Sequence, residues 1–156
     1  MKQLRYLSFV LIFISLLIFE LFIGIITDFS EVKILPFYIL IFYISTKYFS
    51  NSFVIAFFLS GIYYDAFYTS NYFGTTSAKF ILISILINFI NSRLRVNLYS
   101  EFILFTFSLA LYKLETIFTS FSINYFSIIL LISGVNYFLF KLINITLKED
   151  VFKKSF

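Results

Sequence analysis

The chain has 156 residues, of which 61% are apolar and 13% charged, and its formal net charge is +4. A soluble domain of this size exposes a large share of its surface and carries about 25% charged residues, so this composition predicts an integral membrane protein instead. The absence of Cys and His excludes disulfides, a thiol nucleophile and His-based catalysis.

The first predicted membrane helix covers residues 4–26 and contains one acidic residue, Glu20. A spanning helix needs about 20 mostly apolar residues, which this segment supplies. Lys2 and Arg5 precede the apolar run as in a signal peptide, but no small-residue cleavage site follows, which favours an uncleaved helix. The second predicted span, residues 34–49, carries Pro36 in its first turn, where a missing N–H costs little.

Four further apolar segments predict spans at residues 53–68, 78–91, 102–121 and 125–147. Residues 69–77 form a polar, turn-rich loop that contains Gly74. The second, third and fourth segments are shorter than the hydrocarbon core, so five spans is an alternative to six. The sequence therefore predicts one all-α domain, a polytopic bundle of about six transmembrane helices.

Basic residues near the ends of the spans predict the orientation of the bundle. If the N-terminus is cytoplasmic, one basic residue, Lys33, falls in an outer loop, and eight fall on the cytoplasmic side: Lys2, Arg5, Lys47, Arg93, Arg95, Lys148, Lys153 and Lys154. This asymmetry requires an even number of spans. We therefore expect six spans, with both termini in the cytoplasm.

Ionisable side chains within the predicted spans are costly in lipid and are expected to face the bundle interior, a cavity or a partner. They are Glu20, Asp65, Lys113 and Glu115. Internal ion pairs or snorkelling to the interface are favoured over a proton relay or an ion site, although both interpretations stay open.

The fourth predicted span carries polar residues at spacings of seven, four, three and four, which place them on one helical face. They are Ser77, Ser84, Asn88, Asn91 and Arg95. Such a face packs against other helices through hydrogen bonds, or lines a ligand site. The last span invites the same two interpretations at Asn136, Lys141 and Asn144.

Gly61 and Asp65 are one turn apart and share a helical face. Gly61 would permit the close approach of a neighbouring backbone, and Asp65 would cap or order the loop that follows. No Gly-rich phosphate loop and no carboxylate pair spaced for metal or glycoside chemistry is present. We therefore expect no enzyme, no catalytic residue, no cofactor, no metal site and no nucleic-acid partner.

Residues 36–43 read P-F-Y-I-L-I-F-Y, and residues 60–77 read S-G-I-Y-Y-D-A-F-Y-T-S-N-Y-F-G-T-T-S. This pattern, over about a quarter of the chain, resembles the rod shape-determining protein MreD family in its Pro-led second helix, its G-x-x-x-D element and its downstream loop glycine. The resemblance assigns family positions to Pro36, Gly61, Asp65 and Gly74. With Asn88 and Asn91, these residues form the predicted structural or partner-interface set.

The resemblance implies a non-enzymatic membrane component of the bacterial cell-elongation complex, which organises side-wall peptidoglycan synthesis. Its implied partners are an MreC-like protein bound within the membrane, the MreB filament, RodA and the elongation-specific penicillin-binding protein. The implied fold is similar to the substrate-binding subunit of energy-coupling-factor transporters. A vitamin-binding subunit of such a transporter is therefore the alternative function, and a small membrane assembly factor is a third.

Overall fold

The computed structural model of the chain describes residues 14–15, 18–20, 22–23, 33–68, 73–93, 97–113 and 123–146. All regular secondary structure in these residues is helical, as the sequence predicts, and the described residues between 14 and 23 are helical too. Five helices are defined: α1 (Pro36–Lys47), α2 (Asn51–Tyr68), α3 (Thr75–Arg93), α4 (Leu98–Tyr112) and α5 (Ile123–Thr146).

The five helices overlap five predicted apolar segments, and α4 begins and ends earlier in the chain than the fifth of these, residues 102–121. This helix begins at Leu98, because the Asn97 N–H donates to the Ser100 hydroxyl at 2.9 Å and so caps the first turn. Tyr112 ends the helix, and Lys113 is its C-cap. The remainder of that segment, with Glu115, and most of residues 4–26 lie outside the described residues.

Helices α1 and α5 run in the same direction. The side chain of Asn136 contacts the backbone at the start of α1, through Leu35, whereas Asn144 contacts Lys47 at the end of α1. We call these two ends of the bundle the Pro36 end and the Lys47 end. The C-terminal end of α5 therefore lies at the Lys47 end.

Helix α3 also runs parallel to α1, whereas α2 and α4 run the opposite way. The Asn91 amide of α3 donates to the Thr46 carbonyl near the end of α1 at 3.0 Å. The start of α4 faces the last turns of α5, where Glu101 pairs with Lys141. Successive helices from α1 to α5 thus alternate in direction, which is the arrangement expected of consecutive spans.

Helix α1 lies at the centre of the described bundle, packed against α3 and α5. Eight of its twelve residues are buried. Its aromatic rings meet those of α4 and α5, with ring centroids 4.8 Å apart for Phe42 and Phe105 and 5.1 Å apart for Phe42 and Phe140. At 1.5 Å per residue α1 is about 18 Å long, which is shorter than the roughly 30 Å of a hydrocarbon core.

Helices α2 and α3 approach each other closely at Gly61. A Cβ atom added to Gly61 would lie 2.3 Å from the Ser77 Cα and 2.5 Å from the Ser77 backbone nitrogen. At the same crossing, the Ser77 hydroxyl donates to the Phe58 carbonyl at 3.0 Å. The predicted backbone approach at Gly61 is therefore confirmed, and Ser77 is its partner.

We expect Gly61→Ala to separate α2 from α3 and to destabilise the bundle by about 1–3 kcal/mol, because the added methyl meets backbone atoms that cannot rotate away. Gly134→Ala is the matched control, since a Cβ at Gly134 meets no atom within 4 Å and Ala is the better helix former. Thermal unfolding of both purified variants in detergent measures the difference. Equal melting temperatures for the two variants would contradict the close approach.

Candidate functional site

The most prominent polar feature of the described bundle is a set of three buried side chains that cap helices other than their own. Glu20, Asp65 and Asn136 each accept a hydrogen bond from a backbone N–H at or next to the start of such a helix. The first four N–H groups of a helix have no partner within it. In an apolar surrounding without water, such groups must be satisfied by protein atoms.

Glu20 lies 6% exposed and caps the first turn of α1. Its Oε2 accepts the Phe37 N–H at 2.7 Å, and its Oε1 lies 3.4 Å from the Tyr64 hydroxyl, which donates to it. The N-cap residue of α1 is Leu35, which has no side-chain acceptor of its own. The Glu20 carboxylate therefore supplies the hydrogen-bond acceptor that Leu35 lacks, and it links α1 to α2.

Asn136 of α5 is completely buried and uses both ends of its amide at the start of α1. Its Oδ1 accepts the Leu35 N–H at 2.7 Å. Its Nδ2 donates to the Lys33 carbonyl at 2.9 Å and to the Ile132 carbonyl at 2.8 Å. Residues 33–35 are not helical, so this single side chain satisfies irregular backbone that α1 itself does not pair.

Asp65 performs the same task at the junction of α2 and α3. Its carboxylate accepts the Gly74 N–H at 2.7 Å and the Thr76 N–H at 3.2 Å. Gly74 has a φ of +96°, a conformation that side chains disfavour, so the turn requires glycine there. The prediction that Asp65 caps or orders the following loop is confirmed.

Two further polar contacts hold the Lys47 end of α1 against α3 and α5. The Asn91 amide donates to the Thr46 carbonyl at 3.0 Å, one of the last carbonyls of the helix. The Lys47 ammonium donates to the Asn144 side-chain oxygen. Helix α1 is therefore held at both ends by side chains of other helices.

An ion pair links α4 to α5 near the Lys47 end. The Lys141 ammonium and the Tyr137 hydroxyl, the latter at 3.0 Å, both donate to the Glu101 Oε2. The ammonium also lies 5.3 Å from the centre of the Tyr137 ring, where the ring face attracts a cation. The predicted polar residues Asn136, Lys141 and Asn144 thus serve three separate contacts.

Only some of the polar residues predicted on one face of α3 contact other helices in the described structure. Ser77 and Asn91 contact neighbouring helices, and the buried Ser84 donates to the Ile81 carbonyl of its own helix. Asn88 is half-buried, and Arg95 lies outside the described residues. The face therefore serves packing at its two ends.

The structure brings three of the six predicted site residues together, namely Gly61, Asp65 and Gly74 at the α2–α3 junction. Pro36 begins α1 at the Pro36 end, between Leu35 and Phe37, whose N–H groups Asn136 and Glu20 bind, and Asn91 lies at the Lys47 end. Their described contacts are internal, and the partner-interface role remains a prediction. Within the described ranges, no group of three or more Asp or Glu residues is placed to hold a metal ion.

The capping roles of Glu20 and Asn136 were not predicted. A signal for them existed in the sequence, because Leu35 cannot cap the helix that Pro36 begins. A helix with an apolar N-cap inside a membrane needs an acceptor from elsewhere, and Glu20 is the one carboxylate of the preceding segment. Nothing comparable indicated Asn136, which is 101 residues from Leu35 in the chain.

Comparison with known proteins adds no further assignment. No protein-family model, no curated protein and no solved structure matches the chain.

We expect Asn136→Leu to destabilise the bundle by about 2–5 kcal/mol, because it removes the hydrogen bonds of the Asn136 amide to the Leu35 N–H and the Lys33 carbonyl. The loss of a buried hydrogen bond of this kind costs about 1–3 kcal/mol. Asn144→Leu on the same helix is the matched control. Its partner Lys47 is exposed, so we expect a change within about 0.5 kcal/mol. Denaturant titration of both variants in detergent checks this difference, and similar losses in the two would argue against the assigned role of Asn136.

Proposed function

We propose that this chain is a non-enzymatic membrane component of the bacterial cell-elongation complex, related to the MreD family, and that it binds an MreC-like partner within the membrane. In this proposal the chain forms a bundle of about six spans in the plasma membrane with both termini in the cytoplasm. MreB, RodA and the elongation-specific penicillin-binding protein are the further proposed partners.

The outward surface of the described helices supports a location in the membrane. Two helical stretches, Thr75–Arg93 and Phe126–Ile145, are long and apolar enough to cross a bilayer, and only 33% of each is buried inside the protein. Large apolar side chains cover the rest, including Leu82 at 68% exposure and Phe138 at 64%. A soluble protein would bring this surface into water, whereas lipid tails cover it at no cost.

The alternating helix directions support the proposed topology. Lys47 and Arg93 lie at the same end as the last turn of α5, and the loop residue Gly74 lies at the opposite end. Cytoplasmic ends of membrane proteins carry the excess of Lys and Arg. We therefore propose that the Lys47 end faces the cytoplasm and the Pro36 end faces outward.

The single observation that carries the family proposal is the junction of α2 and α3. The G-x-x-x-D element and the downstream glycine, on which the resemblance depends, act there as one unit. Gly61 lets the two helices meet, and Asp65 binds the turn at Gly74. Because the residues of the G-x-x-x-D element and the downstream glycine form one helix junction, their spacing supports the family relationship more strongly than a chance match would.

The use of polar side chains supports a scaffold over an enzyme. Glu20, Asp65 and Asn136 bind backbone groups, and Glu101 binds Lys141 and Tyr137. These contacts fix the positions of helices relative to one another. A bundle held in this way can present a stable apolar surface to a partner helix.

Depletion of the chain in its source bacterium tests the proposal. We expect rod-shaped cells to become round and the MreC-like protein to lose its localisation, because its membrane partner is missing. Wild type and Gly134→Ala should restore the shape and retain the purified MreC-like protein in detergent, whereas Gly61→Ala should do neither. Unchanged cell shape and unchanged MreC localisation after depletion would refute the proposed function.

A further inference from the structure

We propose that the Lys47 end of the bundle binds the phosphate group of an anionic membrane lipid, with Lys47 of α1 and Arg93 of α3 as its two cationic contacts. This inference rests on the membrane location in the proposed function, but it needs neither the family relationship nor the proposed protein partners. It follows from the placement of the two cations and from the apolar surface beside them.

The two cations lie at the same level of the bundle, on helices that are joined to each other. Lys47 is the last residue of α1 and Arg93 is the last residue of α3, and the two helices run in the same direction. The Asn91 amide donates to the Thr46 carbonyl at 3.0 Å, one residue before Lys47 and two residues before Arg93. Because a helix rises about 1.5 Å per residue, both cations follow this contact within one turn.

Each cation is held over an aromatic ring of its own helix. The Lys47 Nζ lies 5.4 Å from the centre of the Tyr43 ring, and it donates to the Asn144 side-chain oxygen. The Arg93 Cζ lies 5.3 Å from the centre of the Phe89 ring. A side chain that is already ordered loses less conformational entropy when it binds a ligand. These contacts therefore prepare both cations to receive an anion.

The positive charge of both groups is accessible to an anion. Both residues are exposed, and in the described part of the chain their polar and ring contacts are with neutral side chains. Lys141, the third described cation at this end, differs because it pairs with Glu101. The last carbonyl groups of a helix favour a nearby cation, which explains the residue types but supplies no full negative charge.

The surface beside the cations favours a lipid over other anions. Three large apolar residues of α3 precede Arg93 at spacings of three and four, and so share its helical face. They are Leu82, Ile85 and Phe89, with exposures of 68%, 47% and 59%. This apolar strip extends about 16 Å along α3 from Arg93. An acyl chain can cover the strip while the phosphate of the same lipid meets the cations, which a soluble anion cannot do.

Titration of the full-length chain with phosphatidylglycerol tests the proposal. The chain is first inserted into phosphatidylcholine vesicles, then extracted in mild detergent and titrated, and the bound lipid molecules are counted by native mass spectrometry. The test variant combines Lys47→Gln with Arg93→Gln. The matched control combines Lys47→Arg with Arg93→Lys, which keeps both charges at the same exposed positions.

We expect the two Gln substitutions to weaken binding of the first phosphatidylglycerol about 30-fold, because each cation near an anionic lipid contributes about fivefold to affinity. The charge-keeping control should bind like the wild type. Glycerophosphoglycerol, which is the same headgroup without acyl chains, should not displace the lipid at equal concentration.

Equal phosphatidylglycerol affinities of the Gln variant and the charge-keeping control would overturn the proposal, because the two charges would then not determine binding. Displacement of the lipid by an equal concentration of glycerophosphoglycerol would also overturn it, because the apolar strip would then contribute nothing. Failure of the wild-type chain to insert into the vesicles is a different result, since it would refute the proposed membrane location and the lipid site with it.

Discussion

The fold depends on one constraint, which is that a backbone N–H group at the start of a helix must find an acceptor where no water is present. Helix α1 begins after an apolar residue, and α3 begins after a glycine turn, so neither supplies a complete cap from its own sequence. Glu20, Asn136 and Asp65 supply the acceptors from other helices. Each cap therefore fixes the position of one helix against another.

The placement of polar, aromatic and apolar side chains agrees with the proposed role of the bundle as a scaffold. Glu20, Asp65 and Asn136 bind backbone groups at the ends of helices, and the aromatic rings of α1, α4 and α5 fill the centre of the described bundle. The Tyr38 hydroxyl is itself satisfied, at 2.7 Å from the Phe105 carbonyl and 2.6 Å from the Ser108 hydroxyl. What the described helices present outward is largely apolar, which suits a protein that acts through lateral contacts in the membrane.

Local patterns in the sequence were sufficient for part of this description. The apolar segments predicted the helices. The spacing of Gly61 and Asp65 predicted both the close approach of α2 to α3 and the capping contact of Asp65, because the residues that make these contacts lie within 19 positions of one another. Hydropathy alone does not indicate the start of α4 at Leu98, because this helix begins in a polar capping box formed by Asn97 and Ser100. Asn136 could not be assigned, because its partner Leu35 is brought near it only by the packing of α5 on α1. Sequence spacing carries no information about such a contact.

Amide hydrogen exchange of the full chain in nanodiscs tests the central constraint most directly. First-turn amides have no partner within their helix, so slow exchange there reports a cap from elsewhere. We predict slow exchange at Leu35 and Phe37, and fast exchange at the first-turn amides of Leu98 and Tyr99 in α4, which are both exposed residues. Exchange at Leu35 and Phe37 as fast as at Leu98 and Tyr99 would contradict the account.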